Sequence, residues 1–367
     1  MSASKAPSFE FLLDRDDLVW MGQNTTHLPP APEVVQALER STARHEFQFY
    51  APALGFSRLR SLIVADLGLA GMDAWVTDGA VAGLHHIVTS LARTLSKVVT
   101  TDPGWPWPER FATVQGVPVA VLPIYSPEAG FKVLAEQLDA EVEANSLIYL
   151  IDPLNPLGSS YTRTELVEIT SLAQSRGAYV VHDCTYRHFA EGHTLAAELY
   201  PEGTFTTYSF SKWLGLAGLR LGAVVAQPSL LSKLTEVPSN PLGANITAQR
   251  AAIAGMEIRE RWLDELIHVN ELNQQIVKDA IEESGLGRVL VWPSHGNFLA
   301  VEVAGSGWSA DGLCAALLEH DVFIRPGTYQ SAGFGTRFVK ISTSVPTVWA
   351  QRFATAWKAV AEKEEAR

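Results

Sequence analysis

The sequence predicts an α/β protein whose large domain contains a mainly parallel seven-stranded sheet, with a smaller α+β domain formed by both termini. Seven short β-rich runs alternate with helical patterns between about residues 74 and 226, and several are rich in Val and Ile without polar alternation. Strands covered on both faces have this composition, and their alternation with helices is typical of parallel sheets. The runs are DAWVTD, KVVTTD, VPVAVLPI, SLIYLI, AYVVHD, TFTTYS and LGAVVA.

The segments outside this region predict the rest of the fold. Residues 246–283 contain little Pro or Gly and carry apolar residues at helical spacing, which predicts one long helix or a kinked pair. Further on, NFLAVEV, DVFIRP and RFVKIS are predicted strands, and GLCAALLEH is a predicted helix. We therefore expect an N-terminal segment of the small domain at 1–45, a large domain at 46–270 and a C-terminal small domain at 271–367.

Composition limits the partners and the compartment. The 367 residues are 47% hydrophobic, enough for a large core. With 28 basic and 40 acidic residues the net charge is −12, which disfavours nucleic acid and anionic membranes as partners. Cys184 and Cys314 predict no disulfide framework and favour a reducing compartment. Because the sequence lacks a signal-peptide core and an apolar stretch of ~20 residues, we expect a cytoplasmic protein.

Polar, aromatic and glycine-rich groups follow the predicted strands. Ligands of open parallel sheets bind beyond the carboxyl ends of the strands, so these groups should share one cleft. Asp78-Gly79-Ala80-Val81 opens a helix whose N–H groups and dipole favour a phosphate, although a plain β-to-α turn has the same pattern. Asp183 follows an apolar run, so its carboxylate needs a partner. That partner is either a protonated pyridine nitrogen or the first turn of a helix.

The segment Ser209-Phe210-Ser211-Lys212 is the strongest local signal for chemistry. Two hydroxyls and an amine follow a strand, and Arg220 lies eight residues further on, past a glycine-containing turn. A nucleophilic lysine needs a lowered pKa, which nearby cations and desolvation provide. Arg220 and the serine hydroxyls suit a phosphate dianion. Taken alone, such a motif is more commonly a solvated loop lysine.

Short motifs follow one another along the chain in a characteristic order. They are YAPALG at 50–55, LR at 59–60, TDGA at 77–80, DPGW at 102–105, NPLG at 155–158, DCTY at 183–186, SFSK at 209–212 and GLRLG at 218–222. From about residue 20 to the C-terminus the chain resembles the fold-type I pyridoxal-phosphate enzymes, specifically the class I/II aminotransferases. Among these it is most similar to histidinol-phosphate-aminotransferase-like members. The resemblance implies the aminotransferase fold type I and pyridoxal 5'-phosphate as cofactor.

The resemblance also implies a role for individual residues. Lys212 would hold the cofactor as a Schiff base and move the proton at the substrate Cα. Asp183 would keep the pyridine nitrogen protonated, and Asn155 and Tyr186 would hydrogen-bond the 3'-oxygen of the ring. The other implied cofactor contacts are Trp105 on the ring face, Gly79, Ala80, Val81, Ser209, Ser211 and Arg220 around the phosphate, and Tyr50 at the phosphate across a subunit interface. The contact from Tyr50 implies a homodimer with shared active sites.

One departure from the family pattern concerns the substrate. The C-terminal motif normally contains Arg-Ile-Ser, whose arginine clamps the substrate carboxylate or phosphate, whereas this chain has Lys340-Ile341-Ser342. Lysine lacks the bidentate fork of a guanidinium. Lys340 is therefore either a weaker point-charge contact or a sign of an unusual substrate or reaction. Arg325 could supply a replacement cation. Arg337 is the weaker candidate because it would face away from Lys340 in a strand.

Further substrate contacts are predicted at Asn24 and His27, in the segment MGQNTTH. There is no HExxH or paired CxxC motif, so no metal site is predicted. The predicted function is transfer of an amino group between an amino acid or related amine and a 2-oxo acid by a ping-pong mechanism. Because fold does not fix chemistry, a lyase, decarboxylase, cyclase or oxidase with the same cofactor is the alternative. A regulatory protein of this fold is disfavoured by the net charge and the intact site residues.

Overall fold

The computed structural model describes residues 9–365 except Val237 and Ser239, so residues 1–8 of the predicted N-terminal segment lie outside the described residues. Within them the strands are β1 (Val19–Trp20), β2 (Asp73–Thr77), β3 (Val98–Asp102), β4 (Val119–Pro123), β5 (Leu147–Ile151), β6 (Tyr179–Asp183), β7 (Thr204–Ser209), β8 (Gly222–Ala226), β9 (Arg288–Val289), β10 (Phe298–Glu302), β11 (Val322–Phe323), β12 (Arg325–Pro326) and β13 (Phe338–Ser342).

Helices occupy nearly half of the remaining described chain. They are α1 (Phe9–Leu13), α2 (Pro32–Ala43), α3 (Ser57–Leu67), α4 (Ala80–Leu91), α5 (Trp107–Val114), α6 (Ala135–Asp139), α7 (Arg163–Arg176), α8 (Ala196–Leu199), α9 (Pro228–Thr235), α10 (Ile246–Glu257), α11 (Arg259–Ser284), α12 (Ala310–Leu318) and α13 (Thr347–Glu365). No helix in this part of the chain combines the length and the apolar character needed to cross a membrane.

The large sheet confirms the predicted architecture. Across the described residues its seven strands lie in the order β2-β8-β7-β6-β5-β3-β4. The neighbours from β7 to β4 are parallel, and β8 is antiparallel to both β2 and β7. Each of the seven predicted β-rich runs contains one of these strands.

Helices cover both faces of this sheet, which explains why its strands lack polar alternation. Side chains alternate between two hydrophobic cores, as the period of a strand requires. Trp75 and Val224 belong to the core that contains α4 and α7, whereas their chain neighbours Val76 and Val225 belong to the core that contains α3 and α10. The residues of β5, β7 and β8 are buried throughout.

The helical pattern at 246–283 forms two helices, α10 and α11, which meet at Ile258. Of the two predicted forms, this is the kinked pair. Trp262 and Leu266 near the start of α11 pack in the core of the large sheet, and Val277 and Ile281 near its end pack in the core of the small sheet. The predicted domain boundary at residue 270 lies inside this helix and stays a prediction.

The small sheet has the order β12-β13-β10-β9, and β1 pairs separately with β11. The N-terminal segment is therefore hydrogen-bonded to the C-terminal part of the chain, with Val19 opposite Val322. The segment that follows β1 continues along β13 and the residues after it, since the N–H of Ser342 donates to the oxygen of Met21 and the N–H of His27 donates to the oxygen of Ser344. The site described below lies at that junction.

The carboxyl ends of β2, β3, β5, β6 and β7 point the same way, because β2 and β7 are both antiparallel to β8. At this edge the N-terminus of α4 approaches the sheet very closely. A Cβ atom on Gly222 would lie 2.4 Å from the backbone nitrogen of Ala80. Only glycine permits this approach, which fixes the position of the first turn of α4.

Candidate active site

A cavity of about 690 Å³ lies at the carboxyl ends of the parallel strands. Its walls come from the loops after β3, β5, β6 and β7, the first turn of α4, the N-terminal segment and the small sheet. The sequence-predicted residues that line it are Asn24, Ala80, Val81, Trp105, Asn155, Asp183, Tyr186, Ser209, Ser211, Lys212, Arg220 and Lys340. The strand ends thus converge on one cleft, as the sequence predicted.

Lys212 reaches this cavity from the loop that follows β7. Its Nζ donates to the backbone oxygen of Gln23 at 3.2 Å, and its backbone oxygen accepts from the Thr26 hydroxyl at 2.6 Å. Burial, reinforced by the Arg220 cation and opposed by Asp183, lowers the pKa of Lys212 to about 8. An amine with this pKa is partly unprotonated near neutral pH and can act as a nucleophile.

The carboxylate of Asp183, at the end of β6, receives hydrogen bonds from three strands or their loops. Oδ1 accepts from the Thr207 hydroxyl at 2.8 Å, the Thr185 hydroxyl at 2.6 Å and the Thr185 N–H at 3.2 Å. Oδ2 accepts from the Tyr149 hydroxyl at 2.8 Å. Charge-assisted hydrogen bonds of this kind stabilise a negative carboxylate. The site therefore contains one oriented negative charge.

A buried polar network joins Asn155 and Tyr186 to the rest of the cavity. Asn24 Nδ2 donates to Asn155 Oδ1 at 3.3 Å and to the Tyr186 hydroxyl at 3.1 Å. Lys340 Nζ donates to the same Asn155 oxygen at 3.0 Å. Burial raises the pKa of Tyr186, so its phenol stays protonated and keeps its donor capacity. With its oxygen occupied, Asn155 has its amide N–H groups available to a ligand.

An anion cradle forms where α4 begins. The first N–H groups of a helix lack intrahelical acceptors, and the helix dipole makes this end positive. Arg220 closes the cradle, since a Cβ on Gly79 would meet its Nη2 atom at 2.4 Å. Ser209 and Ser211, which hydrogen-bond each other through Ser211 N and Ser209 Oγ at 3.2 Å, line the same part of the cavity.

The donor set matches the groups that pyridoxal phosphate presents. The cradle suits its phosphate, and the Asp183 carboxylate suits its ring nitrogen. Asn155 and Tyr186 offer donors for the ring oxygen, and Lys212 offers an amine for the aldehyde carbon. Trp105 adds an aromatic side chain to the cavity wall. The residues present therefore fit the cofactor.

Lys340 carries a buried amine without a carboxylate partner among the described ion pairs. Burial and the cations Lys212 and Arg325 lower the pKa of Lys340 well below its ordinary value. Arg325 lies directly opposite Lys340 in the register of β12 and β13, which places both side chains on one face. Arg325 lines the cavity and packs its guanidinium 4.0 Å from the centre of the Tyr329 ring.

Arg337 does not line the cavity. It lies in a short turn just before β13, so the predicted strand alternation does not extend to it. Its guanidinium forms two hydrogen bonds with Glu302, at 3.2 and 3.1 Å. Of the two arginines, Arg325 is therefore the one beside Lys340.

Three predicted contacts do not line the cavity. Gly79 lies just before α4, behind the residues that form the cavity wall. His27 packs against the Trp349 ring at 5.3 Å and hydrogen-bonds Thr25 at 2.8 Å, and burial lowers its pKa to about 4. A substrate contact from His27 stays a prediction. Tyr50 is 79% exposed and does not line the cavity of its own chain.

Behind the site, a second carboxylate organises the loop that carries Asn155. Asp152 accepts from the Ser160 hydroxyl at 2.6 Å and lies 3.3 and 3.0 Å from the Nε2 atoms of His182 and His193. His182, Cys184 and His193 come close enough to hold a metal ion. However, both His182 nitrogens are already engaged, since Nδ1 accepts from the Ala196 N–H at 3.2 Å. Asp152 and the two histidines therefore form a hydrogen-bonded network, in which Nδ1 of His193 has no partner within the described residues.

Sequence reasoning missed Tyr149, Thr207 and Gln23 as residues of the site. Tyr149 carried a detectable signal, because it is the one side chain with a hydroxyl inside the otherwise aliphatic run LIYLI. Thr207 sits in a threonine-rich strand where several positions look alike. Gln23 contributes its backbone oxygen, which no side-chain pattern reports.

Comparison with known proteins places the chain beside aminotransferases. The family model described as aminotransferase class I and II matches residues 16–356. A histidinol-phosphate aminotransferase 1 of Mesorhizobium japonicum is 28% identical over 333 residues, covering 89% of this chain and 86% of the relative. An aspartate aminotransferase of Streptomyces avermitilis is 26% identical over 357 residues, covering 87% of this chain and 83% of the relative.

Solved structures confirm the predicted aminotransferase fold. The crystal structure of an aminotransferase from Mycobacterium tuberculosis superposes with a TM-score of 0.85 at 21% identity, covering 96% of this chain and 94% of that one. A double mutant of Thermus thermophilus aspartate aminotransferase gives a TM-score of 0.83 at 19% identity, covering 97% of both chains. Likeness at these identities establishes the fold.

Lys212 should react with amine-acylating reagents at a lower pH than an ordinary lysine. In the apoprotein we expect half-maximal labelling near pH 8, the value to which the pKa of Lys212 is lowered. The ordinary pKa of a lysine side chain in water is about 10.4. Below pH 8 the amine is protonated, so labelling falls. Peptide mass mapping after reagent pulses measures this, with the half-exposed Lys358 as the reagent control. A labelling midpoint at about pH 10 for Lys212 would contradict a buried site beside the Arg220 cation.

Proposed function

We propose Lys212 as the residue that holds the cofactor of this chain, which belongs to the class I and II aminotransferase family and is a pyridoxal-phosphate-dependent aminotransferase. The observation that carries the assignment is the position of Lys212 Nζ. It lies in one cavity with the Asp183 carboxylate, the Asn155 amide and the Arg220 cradle. In the resting enzyme Lys212 is the Schiff-base lysine.

The residues of the cavity divide the work of the reaction. When bound, pyridoxal phosphate supplies an electron sink for the electron pair released as a substrate Cα–H bond breaks. Lys212 would take that proton from the substrate Cα as a base and then, as an acid, deliver it to the cofactor carbon that carried the aldehyde. Asp183 holds the proton on the ring nitrogen, and Asn155 and Tyr186 orient the ring oxygen. The remaining contacts hold the phosphate and ring, from Gly79, Ala80, Val81, Trp105, Ser209, Ser211 and Arg220.

The enzyme transfers an amino group between an amino acid or related amine and a 2-oxo acid. We assign the anionic group of the substrate to Lys340, with Asn24 beside it and Arg325 on the adjoining strand. Lys340 is buried and Arg325 is partly exposed, and neither basic group has a carboxylate partner among the described ion pairs, which favours an anionic ligand. An arriving anion would also stabilise the ammonium form of Lys340, so binding would be coupled to proton uptake. The relatives named above carry names of phosphate- or carboxylate-bearing compounds.

We further propose a cytoplasmic homodimer with shared active sites. Both cysteines are free, in keeping with a reducing compartment. Phe47, Phe49 and Tyr50 are exposed by 62%, 67% and 79%, although large aromatic side chains normally gain stability by burial. A cluster of exposed apolar residues is typical of a protein interface. Tyr50 would then reach the cofactor phosphate of the second subunit.

Replacing Lys212 with alanine should abolish the absorbance of the imine that joins the cofactor to this residue, because the nitrogen of that imine is removed. Borohydride reduction of the wild type should place the cofactor mass on the peptide that contains Lys212. Lys233→Ala, at a lysine that donates to the Tyr179 hydroxyl on the protein surface, is the matched control and should keep the spectrum. An unchanged spectrum in Lys212→Ala would sink the assignment.

Replacing Lys340 with methionine should lower kcat/KM for the 2-oxo acid about ten- to hundredfold. A hydrogen bond to a charged group contributes roughly 1.5–3 kcal/mol, and methionine keeps the length of the side chain without its donors. Arg337→Met removes a nearby cation that does not line the cavity, so it is the control. Steady-state kinetics with both variants decides the matter. Equal losses in the two variants would argue against a substrate contact at Lys340.

Replacing Phe49 with aspartate should convert the dimer into monomers and reduce activity, because a charge would be forced into an apolar interface. Sedimentation velocity at several protein concentrations measures the oligomeric state. Val114→Asp alters an apolar side chain that is 84% exposed on α5, outside the segment 47–50, and should leave the dimer intact. The proposal would be abandoned if the wild-type enzyme sedimented as an active monomer.

A further inference from the structure

The carboxylate of Asp183 has unequal hydrogen bonding at its two oxygens. Oδ1 accepts three hydrogen bonds, from the Thr207 hydroxyl and from the hydroxyl and N–H of Thr185, at 2.8, 2.6 and 3.2 Å. Within the described residues, Oδ2 accepts one hydrogen bond, from the Tyr149 hydroxyl at 2.8 Å. A carboxylate oxygen offers about two lone-pair sites. Oδ2 is therefore the oxygen that retains acceptor capacity for a ligand.

Tyr149 reaches Asp183 because of the register between two parallel strands. Ile151 of β5 pairs with Asp183 of β6, so Tyr149 lies two residues earlier on the same face of the sheet. Its side chain reaches diagonally from β5 to the Asp183 carboxylate on β6. The residue is only 2% exposed, and its hydroxyl makes its hydrogen bond inside the protein. The contact is thus fixed by the sheet and does not depend on a loop.

The phenol of Tyr149 can act only as a donor toward Asp183. Burial, reinforced by the Asp183 charge, raises the pKa of Tyr149 well above its ordinary value, so the hydroxyl stays protonated over the working range of the enzyme. A protonated phenol beside a carboxylate donates its hydrogen to it.

We propose that Tyr149 is a positioning residue that keeps Asp183 negative and aims its Oδ2 at the ring nitrogen of the cofactor. This inference rests on the proposed function, which assigns Asp183 to that nitrogen. A donor to Oδ2 stabilises the state in which the carboxylate is charged and the shared proton resides on the ring. Without that donor the proton moves toward Asp183, and the ring withdraws electrons from the substrate Cα less strongly.

The test is Tyr149→Phe, which removes one oxygen atom from a buried site. In holoenzyme loaded with ring-¹⁵N-labelled cofactor, we expect the nitrogen resonance to move toward that of an unprotonated pyridine. The pH midpoint of the cofactor absorbance should shift with it. We expect kcat to fall about ten- to hundredfold with little change in KM, as for loss of one hydrogen bond to a charged group.

Tyr208→Phe is the matched control. Tyr208 is also buried, and its hydroxyl donates to a different buried carboxylate, Asp66, at 2.9 Å. It should lower stability by a similar amount without moving the ¹⁵N resonance. Incorporation of 3-fluorotyrosine at position 149 makes the phenol a stronger donor and retains its shape. That variant should move the resonance in the opposite direction, and it remains informative if Tyr149→Phe does not fold.

Asp183→Asn separates this inference from the proposed function. If it leaves the resonance and the spectrum unchanged, Asp183 does not face the ring nitrogen, and the site assignment fails together with the role of Tyr149. If Asp183→Asn changes both readouts while Tyr149→Phe and the fluorotyrosine variant match the wild type, Tyr149 alone is excluded. The inference is supported if the variants at positions 149 and 183 both shift the ¹⁵N resonance and the absorbance midpoint, while Tyr208→Phe shifts neither.

Discussion

The burial of the central sheet on both faces is the constraint on which the rest of this protein depends. Helices cover the sheet on either side, so its strands are mostly apolar along their length, although β7 buries three threonines. Most polar groups of the cavity therefore come from strand ends, and six strands that run in one direction bring those ends to one edge. Asp183 and Lys212 come from different strands and still share one cavity for this reason. The bonds from Tyr149 and Thr207 to Asp183 are polar contacts within the sheet itself.

A second layer of organisation comes from hydrogen bonds that join distant parts of the chain. Asn24 donates its backbone N–H to Ser342 Oγ at 2.7 Å, and its backbone oxygen accepts from Asn297 Nδ2 at 2.9 Å. Its side chain meanwhile contacts Asn155 and Tyr186 of the large sheet. One residue therefore ties the N-terminal segment and the small sheet to residues that line the cavity. Since buried polar groups are costly when unpaired, the three parts favour a single arrangement.

Local pattern was sufficient to predict the strands and most of the cavity, because β-rich runs and the groups that follow them are contiguous in sequence. It was not sufficient where position depends on packing between distant segments. His27 lies three residues from Asn24, yet its ring turns toward Trp349 while Asn24 faces the cavity. Gln23 acts through its backbone oxygen. Arg325 was a candidate from the sequence, but its place opposite Lys340 depends on the register of β12 with β13. None of these relations leaves a periodic signal in the sequence.

The continuity of α11 has a consequence for how the molecule comes apart. The helix has 26 residues, so it is about 39 Å long. Its first turns belong to one hydrophobic core and its last turns to the other. Unfolding around either core would unfold part of α11, which also packs in the other core. The parts of the chain around these two cores are called lobes here. The two lobes therefore lose structure together, and a chain severed near residue 270 yields halves that each lack part of their own interior.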